Sequence, residues 1–199
     1  MAINLQKGQK VDLTKGNEGL TDLLVGLGWD AAKPTGGGFF NAFKSAPSID
    51  CDASVLMLEA GDKLVTEKDV IYFGNLAHKS GSVKHMGDNL TGDGDGDDEQ
   101  IFIDLSKVPA NIEKLIFVVN IYRATDRKQH FGMIKNAFIR ILDNKKKTEI
   151  LRFNLSDNYT DKIALFTGEV YRHNGEWKFS AIGEGTTDKG LKEIIQRYL

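Results

Sequence analysis

The segment 87–99, which reads G-D-N-L-T-G-D-G-D-G-D-D-E, constrains this chain more than any other stretch. It contains six acidic side chains and no lysine or arginine, and four glycines are interleaved with the acids. Carboxylates this close repel one another, and each loses solvation if the segment folds back on itself. Because a bound cation removes both penalties, the segment predicts a metal-binding loop.

Calcium is the cation that this composition favours. It takes roughly six to eight oxygen ligands in flexible geometry, and glycine allows a backbone to wrap around an ion. Magnesium requires near-ideal octahedral geometry, whereas zinc prefers nitrogen and sulfur, for which the only group close in sequence is His85. The candidate ligands in the loop are Asp88, Asn89, Thr91, Asp93, Asp97, Asp98 and Glu99, with Asp95 as a further candidate.

The loop matches neither of two well-known calcium motifs. Aligning its alternating aspartates with an EF-hand puts Asp98 where the turn needs glycine and Asp104 where a bidentate glutamate belongs. The Gly-Asp pattern occurs once, which argues against a repeating calcium solenoid. The alternative is a solvated acidic surface loop, the usual role of a charge run. The interleaved glycines and the amide and hydroxyl side chains favour metal binding.

A second pair of carboxylates stands at the start of a predicted strand, residues 49–58. Period two puts Cys51, Ala53, Val55 and Met57 on one face, and Asp50, Asp52 and Ser54 on the other. Two carboxylates that point the same way can clamp a cation, although such a pair can equally be edge charges in water. Since a calcium site outside an EF-hand draws ligands from several segments, Asp50 and Asp52 are candidates. Asp30 and Asp126, in other loops, are further candidates.

The rest of the chain reads as short strands separated by turns. Strand-like runs occupy residues 3–13, 20–29, 49–58, 70–73, 82–86, 101–105, 115–122, 148–155, 162–172 and 177–183. Residues 131–143 fit a helical stripe or a strand, and Gly132 with the β-branched content favours the strand. The Asn-Gly pair at 174–175 predicts a hairpin turn.

Two helical features are expected. Residues 109–114 predict one helical turn or two, beginning at Pro109. Thr187 or Asp188 can cap a final helix whose apolar face carries Leu191, Ile194, Ile195 and Tyr198. The pattern as a whole predicts an all-β protein, a two-sheet β-sandwich with a short C-terminal helix. No change of composition marks a linker, so we expect a single domain over residues 1–199.

Composition excludes several classes of protein. A net charge of -2 provides no basic field for nucleic acid. Cys51 is the only cysteine, so no internal disulfide can form. No apolar run approaches the roughly 18 residues that a membrane span needs, and the N-terminal residues lack the apolar core of a signal peptide. We therefore expect a cytoplasmic protein that does not itself span a membrane.

An insertion rich in glycine and phenylalanine occupies residues 33–47. It contains three consecutive glycines and three phenylalanines but lacks the Gly-Lys-Ser/Thr ending of a phosphate-binding loop. Either its aromatic rings fold back onto the core, or they contact a partner or a membrane surface. The sequence does not separate these two readings.

These motifs together resemble the TerD family of tellurium-resistance and stress-response proteins. The resemblance lies in V-G-L-G-W-D at 25–30, D-C-D-A-S at 50–54, the acidic loop at 87–99, I-F-I-D-L at 101–105, F-V-V-N-I-Y at 117–122, Q-H-F-G at 129–132 and W-K-F-S-A-I-G at 177–183. It covers nearly the whole chain. The segment 33–47 departs from the family pattern, because it is longer and more aromatic than usual.

The resemblance implies a β-sandwich that binds calcium, commonly two ions, through the segments 87–99 and 50–52. It also implies a cytoplasmic protein of tellurite resistance that works with other Ter proteins and a TerC-type membrane protein. Such partners would allow a peripheral position at the inner membrane face. No catalytic chemistry is established for the family, so the resemblance implies a sensor or scaffold.

The alternative is a metal-dependent phosphoester hydrolase. Such an enzyme needs a positively charged or acid-base group near the metal, and only Lys84 and His85 are close in sequence. Cys51 lies between two aspartates, which disfavour its thiolate, so it is a poor nucleophile. We therefore expect a non-enzymatic calcium-binding protein.

We expect Asp88→Ala and Asp52→Ala to lower calcium affinity sharply, because each removes a carboxylate oxygen from the ion. Isothermal titration calorimetry measures the affinity, and circular dichroism should show an unchanged apo fold. A variant that binds calcium as well as the parent would show that its residue is not a ligand.

Overall fold

Two six-stranded sheets pack face to face in the computed structural model, which describes residues 2–31, 49–87 and 96–199. The strands are β1 Ile3–Leu5, β2 Lys10–Asp12, β3 Asp22–Ala31, β4 Cys51–Glu59, β5 Val70–Ile71, β6 Val83–His85, β7 Glu99–Asp104, β8 Ile112–Ile121, β9 Ile134–Asp143, β10 Thr148–Asn154, β11 Ala164–His173 and β12 Glu176–Thr186. Sheet A has the order β1-β10-β9-β3-β7-β6, and sheet B has the order β2-β12-β11-β8-β4-β5. The pairing of β1 with β10 is parallel, and the other strand pairs are antiparallel.

The main core lies between the inner faces of the two sheets. As the alternation predicted, Cys51, Ala53, Val55 and Met57 of β4 all face this core. Their neighbours on the other face of β4 include Leu56 and Leu58, which belong to a separate apolar cluster. Alternate side chains of β4 therefore belong to two apolar clusters, one on each side of sheet B.

The second cluster lies under the C-terminal helix, α2, which spans Leu191–Gln196. Its predicted apolar face is confirmed, since Ile194 is fully buried and Leu191, Ile195 and Tyr198 pack around it. The predicted cap is wrong, because the helix begins after Gly190, which supplies no side-chain cap. Asp188 instead accepts hydrogen bonds from the Thr186 hydroxyl and from Arg197.

Of the other predictions about local structure, the strand and the hairpin are confirmed and the helix after Pro109 is not. Residues 134–143 form a strand, as the β-branched content indicated, after a 3-10 turn at Phe131–Met133. The hairpin at Asn174 and Gly175 is confirmed, with φ of 53° and 80°. The helical segment predicted from Pro109 is wrong beyond a single turn, because β8 already begins at Ile112. A short helix, α1 Ala124–Arg127, occupies the charged turn that follows β8.

Two predicted features fall on parts of the chain outside the described residues. These are the Gly/Phe-rich insertion 33–47 and the stretch 88–95 of the acidic loop. Within the residues that are described, no helix combines the length and apolar character that crossing a bilayer requires.

The packing of α2 generates a stability prediction. Ile194→Ala removes a fully buried side chain and should lower the free energy of unfolding by about 2–5 kcal/mol. Leu199→Ala is the control, because Leu199 is 60% exposed, and it should change that energy by less than about 0.5 kcal/mol. Urea unfolding followed by circular dichroism measures both. Equal effects would mean that α2 is not part of the cooperative fold.

Candidate metal site

Four predicted ligands lie at the end of the sandwich where β4 begins, and their charges act on Cys51. Asp50 and Asp52 flank Cys51 in sequence, whereas Asp98 and Glu99 arrive from the acidic loop and β7. Burial, and then the charges of Asp52, Asp50, Asp98 and Glu99, raise the pKa of the Cys51 thiol well above its ordinary value. The two acidic motifs, distant in sequence, therefore meet at one end of the fold.

Asp98 is held by the backbone of β3. The Trp29 N–H donates to the Asp98 carboxylate at 2.6 Å, and the Asp98 N–H donates to the Leu27 carbonyl at 2.8 Å. Asp98 is buried, with 8% of its surface exposed. These bonds fix the last part of the acidic loop to the end of β3, beside the Trp-Asp motif at 29–30.

Glu99 points between the sheets. Because β7 alternates, Glu99 shares its inner face with Ile101 and Ile103. Its carboxylate lies 3.3 Å from the His85 Nε2, and both side chains are almost completely buried. The same ring nitrogen lies 3.2 Å from the Ala53 carbonyl of β4, and the Gly87 N–H donates to the His85 Nδ1 at 3.1 Å. His85 thus links sheet A, sheet B and the beginning of the acidic loop.

Asp97 lies on the outer face of sheet A. Arg140 of β9 donates to it twice, from Nε to Oδ1 at 2.7 Å and from Nη2 to Oδ2 at 3.0 Å. The Asp97 side chain is completely buried, and a Cβ built on Gly26 would lie 2.2 Å from its carboxylate. Gly26 therefore provides the space that Asp97 occupies, because any larger side chain there would displace it.

Arg140 belongs to a charged network across β9 and β10. Its Nη1 donates to Glu149 at 3.1 Å, and Arg152 donates to Glu149 as well. The hydrogen bonds that Arg140 donates to Asp97 raise the pKa of Arg140. Burial acts in the opposite direction, and the contact with Glu149 raises that pKa further. Burial would raise the pKa of Glu149, but the bonds from Arg152 and Arg140 outweigh it and lower that pKa. Arg152 also stacks on Phe138, with 4.1 Å between its guanidinium carbon and the ring centroid.

A polar cavity of about 410 Å³ adjoins this network. Its described lining consists of Trp29, Asp30, Gly96, Asn136, Phe138, Arg140, Arg152 and Asn154. The charged groups in and beside the cavity largely compensate one another, since Asp97 and Glu149 pair with the two arginines.

Asp52 lies on the other side of the molecule, on the outer face of sheet B. The Asn120 amide, directly across the strand pair, donates to the Asp52 carboxylate at 3.4 Å. The Arg127 Nη1 of α1 lies 3.7 Å from the Asp50 carboxylate. Since packed sheets are about 10 Å apart, Asp52 and Asp97 cannot hold one ion while each keeps these contacts.

The other candidate ligands are spread around this end of the sandwich. Asp30 is exposed and accepts a hydrogen bond from the Asn136 amide at 2.6 Å. Asp126 is exposed and pairs with Arg123 at 3.0 Å. Five candidates lie outside the described residues, namely Asp88, Asn89, Thr91, Asp93 and Asp95.

The donor chemistry fits a hard cation. The carboxylates around Cys51 offer oxygen, whereas the thiol is kept protonated by its raised pKa and both His85 nitrogens are engaged internally. Within residues 2–31, 49–87 and 96–199, no three His, Cys, Asp or Glu side chains are grouped closely enough to hold an ion. Among the described residues, the carboxylates that could hold a calcium ion here are Asp50, Asp52 and Asp98.

Sequence reasoning missed Arg140, Gly26 and the internal role of His85. The glycines inside the apolar run at 25–29 were a usable signal, since glycine in a strand interior often marks a close approach by another group. The partner of Gly26 was not readable, because Arg140 becomes its neighbour only through the register of β3 and β9.

The surroundings of Cys51 generate a prediction about its reactivity. With its pKa raised by burial and by the nearby carboxylates, the native thiol should react far more slowly with DTNB at pH 8 than the unfolded protein does. Because the folded pKa exceeds the unfolded one, this group's contribution to stability is present below about pH 8.5 and is lost as pH rises beyond it. The Cys51→Ser variant should not show this loss of stability at high pH, because serine has no thiol to ionise. Equal thiol reactivity in both states would contradict the buried position.

Known proteins resemble this chain along its whole length. The TerD domain matches residues 1–198. Stress response protein SCP2 of Bacillus subtilis (strain 168) is 60% identical over 201 residues, which cover 100% of both chains. Tellurium resistance protein TerD of Serratia marcescens is 42% identical over 198 residues, which cover 100% of this chain and 97% of that protein.

A solved structure shares the fold. It is the crystal structure of a homologue of telluride resistance protein (TerD) from Streptomyces coelicolor A3(2), with a TM-score of 0.62 and 21% identity. The match covers 84% of this chain and 91% of that chain. The family match and these relatives confirm the resemblance read from the motifs, and the chain belongs to the TerD domain family.

Proposed function

We propose that this chain is a calcium-binding, non-enzymatic protein of the stress response and of tellurium resistance. In this proposal, calcium occupies the end of the sandwich where the acidic loop meets the segment 50–52, and two ions can bind there. The loaded loop forms a surface for other Ter proteins and for a TerC-type membrane protein, within the cytoplasm.

One observation carries the calcium part of the proposal. Carboxylates from segments 50–52 and 98–99, nearly fifty residues apart, lie at the same end of the sandwich, where the His85 Nε2 is 3.2 Å from the Ala53 carbonyl and 3.3 Å from Glu99. After burial, the charges of these carboxylates raise the pKa of Cys51. Like charges placed together are costly unless something compensates them. Calcium supplies that compensation, and it accepts oxygen ligands from separate segments in flexible geometry.

The positions of the nearby basic groups disfavour the hydrolase alternative. A metal-dependent phosphoester hydrolase needs an acid-base or cationic group that reaches the substrate beside the metal. His85 is buried between the sheets, where Ala53, Glu99 and Gly87 engage its ring. Lys84 is exposed, on the opposite face of β6 from His85. The two arginines that line the cavity at this end, Arg140 and Arg152, are engaged by Asp97 and Glu149.

The relatives support the physiological part of the proposal. Close relatives across the full length are named as stress response and tellurium resistance proteins, and several Ter proteins share this family. A protein that responds to calcium by ordering a loop suits a sensor or scaffold role. The change of charge on binding would be its signal to partners.

Calorimetric titration tests the proposal. After treatment with EDTA, the protein should release or absorb heat with calcium chloride and respond much less to magnesium chloride. Calcium at 100 times its dissociation constant should stabilise the fold by about 2.7 kcal/mol, which a thermal melt detects as a rise in midpoint. Phosphoester substrates such as p-nitrophenyl phosphate should not be turned over.

A matched variant controls for nonspecific charge effects. Asp157→Ala removes an exposed carboxylate that pairs with Lys7, away from the acidic end, and should bind calcium like the parent. The absence of both heat and thermal shift in millimolar calcium would refute the calcium proposal. Calcium-dependent turnover of a phosphoester would favour the hydrolase.

A further inference from the structure

The contacts of Asp97 distinguish it from the other acids of the loop. Both of its carboxylate oxygens accept hydrogen bonds from Arg140, at 2.7 and 3.0 Å, and a third bond comes from the Gln100 amide at 3.3 Å. The side chain is completely buried over Gly26. A bidentate guanidinium contact fixes a carboxylate in both distance and orientation.

This arrangement does not suit a calcium ligand. A ligand carboxylate must direct an oxygen toward the ion, whereas both Asp97 oxygens face Arg140 and lie on the outer face of sheet A. The next residue, Asp98, is bound separately to the backbone of β3. Two successive residues are thus attached to sheet A, immediately after the stretch 88–95.

We propose that Asp97 is a positioning residue which Arg140 and Gly26 hold against sheet A, and that this anchor preorganises the neighbouring Asp98 for calcium. The calcium part of this inference rests on the proposed function. A ligand that is already held in place loses less conformational freedom when the ion binds, so preorganisation increases affinity. Arg140, Gly26 and Asp97 are called the Asp97 anchor below.

The inference predicts the sign of the Arg140 effect. If Asp97 belongs to an anchor, Arg140→Ala releases Asp97 and the neighbouring Asp98 and weakens calcium binding. If Asp97 is instead a ligand, Arg140 competes with the ion for its oxygens, and Arg140→Ala strengthens binding. Asp97→Ala weakens binding in both cases, so the arginine variant is the decisive one.

Titration calorimetry with calcium chloride on four variants and one control variant tests the inference. Asp97→Ala, Arg140→Ala and Gly26→Ala should each weaken binding by roughly 10- to 100-fold, the usual effect of removing a group that orients metal ligands. The double variant of Asp97 and Arg140 should be no weaker than either single one, because both changes remove the same anchor. Lys178→Ala, which breaks the Lys178–Asp12 pair on sheet B, should leave affinity unchanged.

Gly26→Ala is informative because it changes no charge. Gly26 does not have a positive φ, so alanine suits its backbone, and the new Cβ displaces only the Asp97 carboxylate among its closest neighbours. Circular dichroism of each variant without calcium establishes that it folds. An Arg140→Ala protein that folds and binds calcium as tightly as the parent, or more tightly, would overturn the inference.

Hydrogen exchange without calcium separates this inference from the proposed function. In EDTA, the amide of Asp98, which bonds to the Leu27 carbonyl, should exchange faster in Arg140→Ala and Gly26→Ala than in the parent and in Lys178→Ala. If the parent binds no calcium but shows this difference, the calcium proposal fails while the anchor stands. Unchanged exchange in both variants would overturn the anchor itself.

Discussion

Carboxylates at one end of the sandwich repel one another, and the neighbouring groups of the site reduce that repulsion. Three consecutive acids, Asp97, Asp98 and Glu99, have separate surroundings. Asp97 meets Arg140 on an outer face, Asp98 meets the Trp29 backbone N–H at the edge, and Glu99 meets His85 between the sheets. Arg140 compensates the charge of Asp97, whereas the backbone N–H and the imidazole give Asp98 and Glu99 polar partners, since a buried charge without one is costly.

The two sheets contribute differently to this end of the molecule. On sheet A, Gly26 and Gly28 leave room on the outer face, so that Asp97 and the Phe138 ring can lie directly over β3. On sheet B, the outer face carries Asp52 and Asn120 at this end, and α2 covers an apolar cluster further along. His85 crosses the interior and contacts the β4 backbone. The loop therefore begins beside a cross-sheet contact and ends on a charged network.

The acids at this end of the molecule have different surroundings and are not equivalent. Counting the aspartates of the loop treats them as equivalent, whereas the structure gives Asp97 a structural partner and Glu99 an interior one. Asp50, Asp52 and Asp98 remain the described carboxylates best located for an ion.

Much of the fold was readable from the order of residues, because alternation along a strand is a local property. Period two identified β4 and its inner face, the Asn-Gly pair identified a hairpin, and the apolar stripe identified α2. Local signals were weaker at segment ends, where a strand already occupied the place of the predicted turns after Pro109. The acidic loop could also be recognised from the sequence, since its acidic residues and glycines are neighbours in the chain.

Only the tertiary structure determined which group lies beside each acidic side chain. The partner of each depends on strand register and sheet order, which join residues far apart in sequence, such as Asp97 with Arg140 and Asp52 with Asn120. Composition reveals that charge must be compensated, but not whether an arginine, a backbone N–H, a histidine or an ion does so. That choice follows from which side chains the two sheets bring within a few ångströms of each carboxylate.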